Sequence, residues 1–142
     1  MEKRKRDSAE QIFDPLREKY VALTPEERVR QRVIEWLMIK GEWPKLLMMS
    51  ETEINIGDVK FRCDIVCYNR ALEPQIIVEC KAPEVKITEK TFEQIWRYAL
   101  ILKVRWIMVT NGTETYVCLY NSEEDKYEFI KEMPKYLSEE KR

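Results

Sequence analysis

The sequence predicts a mixed α/β (α+β) fold, in which helices pack on a mixed sheet in the order α-β-β-β-α-β-β. Three observations predict it: a capped helix start, two apolar runs with the alternation of strands, and a second amphipathic helix. At 142 residues the chain is most simply one domain that is long enough for a core of its own.

We expect this domain to span residues 13–136. Residues 1–12 contain the basic run Lys-Arg-Lys-Arg, which favours a disordered, solubilising segment. Residues 137–142 are expected to form a frayed tail. Internal repeats and a second domain are not evident in the sequence.

The first helix has a well-defined start. Thr24 is a typical N-cap, Pro25 suits the first helical position, and Glu27 three residues after the threonine would complete a capping box. Gly41 followed by Pro44 would end the helix. Its predicted buried stripe consists of Val33, Ile34, Leu37 and Met38.

Three consecutive antiparallel strands are predicted next, at residues 52–56, 61–68 and 76–81. The Gly57-Asp58 pair suits a tight hairpin between the first two.

A second helix is expected at about residues 89–103, with apolar residues at helical spacing. An Asn111-Gly112 turn then separates strand-like residues 104–110 and 114–120. The alternation of Tyr127, Phe129 and Ile130 predicts a further edge strand.

Charged residues interrupt two of the apolar strands. Glu79 and Lys81 are two residues apart and therefore point to the same face of a strand. Asp64 interrupts the preceding run, where Arg62, Asp64 and Val66 would share one face, opposite Phe61, Cys63, Ile65 and Cys67. If these strands are neighbours, Asp64, Glu79 and Lys81 converge.

Two carboxylates and one ammonium are a set suited to metal-assisted hydrolysis of a phosphodiester. Mg²⁺ prefers oxygen ligands and is commonly held by one or two carboxylates together with phosphate oxygens. Lys81 could position water or face the phosphate oxygens. The alternative is a solvated ion pair of Lys81 with Glu79, with Asp64 as an ordinary edge acid.

Composition excludes other chemistries. The sequence contains no histidine, which removes imidazole-based catalysis and most catalytic zinc sites. It has no phosphate loop of the GxxxxGK[ST] type, so no nucleotide motor is expected in it. The four cysteines lie in apolar runs and are expected to be buried, reduced thiols. No signal peptide or membrane-spanning stretch is visible, so we expect a soluble, cytoplasmic protein without a membrane partner.

The net charge of −1 means that any contact with nucleic acid must be local. Arg28, Arg30 and Arg32 would lie on different faces of the first helix, which favours a solvated surface. Arg62 is the sharper candidate for nucleic-acid binding because it would share a strand face with Asp64.

A set of short motifs follows in order along nearly the whole chain, from residue 13 to the tail. They are Phe13-Asp14-Pro15, Leu23-Thr24-Pro25-Glu26-Glu27, Arg30-Gln31, Cys63-Asp64-Ile65-Val66, Val78-Glu79-Cys80-Lys81-Ala82-Pro83, Gln94-x-x-x-Tyr98 and Val109-Thr110-Asn111-Gly112. The α-β-β-β-α-β order with Asp and then Glu-x-Lys resembles the PD-(D/E)xK nuclease superfamily. The full set resembles, more narrowly, the N-terminal nuclease domain of type I restriction enzyme R subunits.

The resemblance implies a restriction-endonuclease-like core and roles for individual residues. Asp64 and Glu79 would be Mg²⁺ ligands, and the backbone carbonyl of Cys80 would add a third oxygen. Lys81 would be the catalytic lysine. Cys63 stands where the superfamily pattern has proline, a mild departure.

Helix residues complete the implied site. Gln94 and Tyr98 match the family's Gln-x-x-x-Tyr element, which lies by the active site and aids DNA handling. A local polar contact with a packed tyrosine ring explains this pair equally well. Glu27 is the nearest match to the helix acid that often joins the metal site, with Glu26 as the next choice, although the capping box also accounts for Glu27.

The sequence thus predicts an Mg²⁺-dependent DNA endonuclease, with Mn²⁺ as a substitute, that stands alone without a helicase motor. The implied partners are DNA and a motor or specificity protein. The sequence leaves open whether the chain forms a homo-oligomer. The alternative function is a catalytically weak DNA-binding or docking module that works with a partner protein.

Overall fold

The computed structural model describes residues 3–6 and 9–136, which form two sheets and two α-helices. The smaller sheet is antiparallel and has the order β1-β2-β3. Its strands are β1 (Lys3–Arg6), β2 (Ala9–Asp14) and β3 (Lys19–Ala22).

The larger sheet has six strands that lie side by side in chain order. Neighbouring strands are antiparallel except for the third and fourth, which are parallel. The sheet is therefore mixed, as predicted. Its strands are β4 (Met48–Ile56), β5 (Val59–Tyr68), β6 (Pro74–Cys80), β7 (Trp106–Thr110), β8 (Thr115–Asn121) and β9 (Lys126–Ile130).

Two helices cover the two faces of this sheet. Helix α1 (Pro25–Ile39) packs on one face and helix α2 (Glu89–Leu102) on the other. Strand β6 alternates between them, because Val78 packs in the α1 layer and Ile77 in the α2 layer. A short 3-10 turn (Lys45–Leu47) leads from α1 into β4. The α+β fold with helices on a mixed sheet is confirmed.

The start of α1 follows the predicted pattern only in part. Thr24 is the N-cap, and its hydroxyl accepts a hydrogen bond from the backbone N–H of Glu27 at 3.0 Å. The carboxylate of Glu27 is turned toward other partners, described below, so the predicted reciprocal bond of a capping box is replaced. Helix α2 begins after Thr88 and ends before Lys103, close to the predicted bounds.

The N-terminal region differs from the prediction. Residues 1–12 were expected to be disordered, whereas β1 and most of β2 lie in this range and pair with each other. Charge patterning reports which residues prefer water but does not report backbone pairing, and Ile12 is fully buried. The expected frayed tail at 137–142 lies outside the described residues.

The four cysteines are free and buried, as predicted. Burial raises the pKa of the Cys63 thiol to about 12, so this group is a neutral thiol at physiological pH. Neither helix of the described residues has the length and apolar character needed to cross a membrane.

The β7–β8 turn provides a test of how this hairpin is fixed to α1. Gly112 has φ of +89°, and an added Cβ would lie 3.2 Å from Cγ2 of Val29. Gly57 has φ of +58°, but an added Cβ would meet no atom within 4 Å. We expect Gly112→Ala to lower the free energy of unfolding by about 2 kcal/mol and the control Gly57→Ala by about 1 kcal/mol, because only Gly112 adds a packing conflict to the backbone cost. Urea unfolding measures both, and equal losses would contradict the packing argument.

Candidate active site

Glu79 and Lys81 lie at the end of β6 and share a face, as predicted. Lys81 Nζ lies 3.3 Å from Glu79 Oε2. The backbone N–H of Lys81 donates to the carbonyl of Thr110 at 2.8 Å, which continues the parallel pairing of β6 with β7 past the last strand residue. Both side chains line a cleft on the α2 side of the sheet.

Asp64 reaches the same place from β5. Its Oδ2 accepts a hydrogen bond from the backbone N–H of Cys80 at 2.6 Å. Its carboxylate also acts on the Glu79 carboxyl, whose pKa it helps to raise. The structure therefore brings Asp64, Glu79 and Lys81 together, as the sequence led us to expect. Cys80 takes part through its amide, and its carbonyl as a metal ligand stays a prediction.

Strand β5 changes its facing at Asp64, which the sequence did not predict. Ile65 packs in the α1 layer and Val66 in the α2 layer, yet Cys63 also packs in the α2 layer rather than with Ile65. Pairing between β5 and β6 begins at Ile65 opposite Val78, is regular as far as Cys67 opposite Ile76, and shifts register between Cys67 and Tyr68. The two strands separate at Asp64, and its carboxylate takes the Cys80 N–H that a strand would otherwise pair. The expected common face of Phe61, Cys63, Ile65 and Cys67 was therefore wrong.

The proximity of two carboxyl groups changes the acidity of Glu79. Burial disfavours the charged form, and the neighbouring Asp64 carboxylate adds to this effect. Lys81 opposes both. Together these effects raise the pKa of Glu79 to about 7. A nearby cation would favour the ionised form of Glu79.

Arg30 lies beneath the carboxylates and is the main site residue that the sequence analysis missed. Its side chain is only 4 % exposed, so the predicted solvated surface was wrong at this position. Nη2 donates to Asp64 Oδ1 at 2.9 Å, and Nη1 donates to Glu27 Oε1 at 2.6 Å. Burial acts against the charged guanidinium, but the carboxylates of Glu27 and Asp64 outweigh it and raise the pKa of Arg30. Arg30 therefore orients Asp64 from below.

Glu51 on β4 was also missed, because nothing in its strand-like context distinguishes it. One carboxylate oxygen lies 2.6 Å from Arg30 Nη2, and the other accepts a hydrogen bond from Arg62 Nη2 at 2.6 Å. Its φ of 51° is left-handed, which is uncommon for a residue with a Cβ inside a strand. Backbone strain of this kind persists only where the surrounding contacts impose it.

Glu27, which was predicted as a metal ligand, has its carboxylate bound by donors of the protein. Its carboxylate accepts from Arg17 Nη2 at 2.9 Å and from Gln31 Nε2 at 2.9 Å, in addition to Arg30. Arg17 in turn bonds to the fully buried Asp14. Glu27 thus belongs to a buried ion network with Arg17, Arg30 and Gln31, and its assignment as a metal ligand stays a prediction.

Glu26 is the acid of α1 that faces the site. Its Oε1 lies 3.6 Å from Arg30 Nη2. Burial raises the pKa of Glu26, the Asp64 carboxylate raises it further, and the positive charges of Arg30 and Lys81 oppose the shift. Glu26, the second choice of the sequence analysis, therefore interacts electrostatically with Asp64, whereas the Glu27 carboxylate accepts hydrogen bonds from Arg17, Arg30 and Gln31.

The remaining predicted residues line the cleft beside Glu79 and Lys81. The cleft has a volume of about 470 Å³, and Arg62, Gln94 and Tyr98 contribute to its walls. The Tyr98 ring packs on Phe61 with a centroid separation of 4.5 Å, yet Tyr98 remains 38 % exposed. Both earlier interpretations of this tyrosine are thus compatible: it packs, and it borders the cleft.

The donor set for a metal is small. In the part of the chain that the structure describes, no group of three or more His, Cys, Asp or Glu side chains is arranged to hold a metal ion. Asp64 and Glu79 are thus a pair of carboxylates, and further ligands would have to be backbone oxygen, water or substrate.

Comparison with known families identifies the family of this chain. Residues 25–134 match the family described as type I restriction enzyme R protein N terminus. The chain belongs to this family. The match includes α1, β4 to β9 and each predicted site residue of this R-protein N-terminal domain, and it supports a nuclease-related role with DNA and a complex partner. A comparison with curated proteins finds no match.

The raised pKa of Glu79 predicts how stability depends on pH without metal. The folded state holds this proton more tightly than the unfolded chain, where the pKa is near 4.5. Stability from this group is therefore present below about pH 4.5 and is lost as pH rises through about 7. Glu79→Gln should flatten the fall of unfolding free energy across this window. Urea unfolding between these pH values in EDTA measures it, with Glu93→Gln on the exposed side of α2 as control; an unchanged slope in Glu79→Gln would contradict the assignment.

Proposed function

We propose that the chain is an Mg²⁺-dependent DNA endonuclease domain, with Mn²⁺ as a substitute for Mg²⁺. The observation that carries the proposal is the meeting of Asp64 and Glu79, from two separating strands, beside Lys81 at the edge of a cleft. Membership of the R-protein N-terminal family supports it. A motor or specificity protein would bring the domain to its DNA target.

The residues present fit a divalent cation. Asp64 and Glu79 offer hard carboxylate oxygens, the ligands that Mg²⁺ prefers. Burial and, after it, repulsion by Asp64 raise the pKa of Glu79, and a bound cation would relieve the repulsion. Asp64 and Glu79 would hold the ion, with the carbonyl of Cys80 as a third oxygen. When bound, the ion would polarise a phosphate oxygen and lower the pKa of a water molecule.

The side chains around this pair have separate tasks. Lys81 carries a compact positive charge with three donors, suited to a phosphate oxygen. The Cys80 amide and Arg30 hold the Asp64 carboxylate from two directions and thereby limit its rotation. Gln94 and Tyr98 would orient the strand that enters the cleft.

Cleft residues also supply the charge that binds a polyanion. Lys60, Arg62 and Lys90 line the cleft together with Lys81. Since the net charge of the chain is −1, this local excess of positive charge is what would attract DNA.

The first functional test removes each member of the charged set. Asp64→Asn, Glu79→Gln and Lys81→Ala should each reduce Mg²⁺-dependent plasmid nicking by about 100-fold or more, because the two acids would hold the ion and Lys81 would stabilise charge on the phosphate. The double variant Glu79→Gln with Lys81→Ala should nick DNA no more slowly than the less active of the two single variants. Nicking is measured with Mg²⁺ or Mn²⁺ against EDTA, and circular dichroism checks the fold.

Lys86→Ala is the matched control for Lys81→Ala, because Lys86 is exposed in the loop after the site. Full nicking by Lys81→Ala would refute the catalytic assignment. DNA binding without nicking by the wild type, under all metal conditions, would instead support the docking module.

Binding through the cleft is tested separately with Arg62→Gln. The Arg62 side chain is 72 % exposed and lines the cleft, so its loss should cost little stability. We expect DNA affinity to fall several-fold at low salt and the slope of log K against log salt to become shallower by about 0.9, as for one lost phosphate contact. Fluorescence anisotropy with a labelled duplex measures both, and Arg70→Gln, an exposed arginine in the β5–β6 turn, should change neither. An unaltered slope in Arg62→Gln would remove Arg62 from the DNA-binding surface.

A further inference from the structure

One nitrogen of Arg30 meets three carboxylates. Nη2 lies 2.6 Å from Glu51 Oε1, 2.9 Å from Asp64 Oδ1 and 3.6 Å from Glu26 Oε1. The three acids come from β4, β5 and α1, so it is the tertiary fold that gathers them. A convergence of carboxylate oxygens from separate elements is an environment that a divalent cation also prefers.

The guanidinium is a permanent part of this cluster. Its side chain is 4 % exposed, and its other terminal nitrogen is held by Glu27 at 2.6 Å. Nε is buried and has no hydrogen-bond partner among the described residues, so the two terminal nitrogens carry all of its polar contacts. An arginine does not lose its proton in proteins, and the positive charge therefore stays at every working pH.

We propose that Arg30 supplies the positive charge that a second divalent cation would otherwise bring, so that the site takes one divalent ion per chain, between Asp64 and Glu79. This inference rests on the proposed function, since it requires that Asp64 and Glu79 hold a divalent cation. A second ion on the Asp64 Oδ1 side would have to displace the guanidinium or lie against it, and like charges at this distance repel strongly.

The way in which the carboxylate oxygens are shared among their partners also supports one divalent ion per chain. Asp64 presents Oδ1 to Arg30 and Oδ2 to the Cys80 amide, while Glu79 is paired with Lys81 on the cleft side. Glu51 divides its two oxygens between Arg30 and Arg62. Guanidinium groups therefore occupy the carboxylate oxygens on the Arg30 side of Asp64, whereas Asp64 and Glu79 act on each other as two acids.

The test counts bound Mn²⁺ on the full chain, by electron paramagnetic resonance of free Mn²⁺ and by calorimetry. We expect one ion for the wild type and one for Arg30→Lys, which keeps the charge. Arg30→Gln removes the charge and should bind two ions, with a larger rise of melting temperature on adding Mn²⁺ than in the wild type. Arg32→Gln removes an equal charge from an exposed position on α1 and should still bind one.

Glu79→Gln locates the ion, because it should lose the single Mn²⁺ of the wild type. Two ions on the wild type, or one ion on a folded Arg30→Gln variant, would overturn the inference. If Arg30→Gln does not fold, the counts for wild type and Arg30→Lys still decide, since two ions on either contradict the role of Arg30.

Failure of the proposed function is distinguishable from failure of the inference. A wild type that binds one Mn²⁺ but cuts no DNA would overturn the nuclease assignment alone. A wild type that cuts DNA and binds two ions would overturn only the role given to Arg30. A wild type that binds no Mn²⁺ would overturn both.

Discussion

A buried guanidinium is the constraint on which the rest of the site depends. Arg30 is almost fully buried, and a buried charge is tolerated only where opposite charges and hydrogen bonds compensate it. Its compensating carboxylates come from α1, β4 and β5. The helix must therefore lie at one particular position along the sheet, and Asp64 must turn toward it. The same contact that satisfies Arg30 sets the orientation of the carboxylate nearest to Glu79.

The second constraint is the separation of β5 from β6. Regular pairing stops after Ile65 opposite Val78, and the Asp64 carboxylate accepts the next amide instead. Strand β6 stays fixed beyond this point because it continues along β7, up to the bond from the Lys81 amide to Thr110. The separation leaves room for two acids side by side. The backbone hydrogen bonds of regular pairing are lost at this point, which is a cost in stability that a functional site would explain.

These arrangements lower stability locally in a way that suits a functional site. Glu79 is held beside another carboxylate, Glu51 takes a left-handed φ inside a strand, and Arg30 leaves its Nε without a partner among the described residues. Each feature is unfavourable by itself. Their concentration in the charged cluster around Asp64 and Arg30 is what a trade-off between stability and activity predicts. The apolar layers on both faces of the sheet supply the stability that tolerates it.

The sequence by itself determined the features that depend on near neighbours in the chain. Helix starts at Thr24 and Thr88, the succession of helices and strands after α1 and the common face of Glu79 with Lys81 all follow from local spacing. The ordered motifs pointed to the family that the comparison confirmed. Only the tertiary structure decided that Arg30 is buried rather than solvated, that Glu27 joins the ion network while Glu26 faces the site, and that β5 changes its facing at Asp64. The physical reason is distance along the chain: Arg30 and Asp64 are 34 residues apart, and neither periodicity nor capping reports which charges meet when separate elements pack.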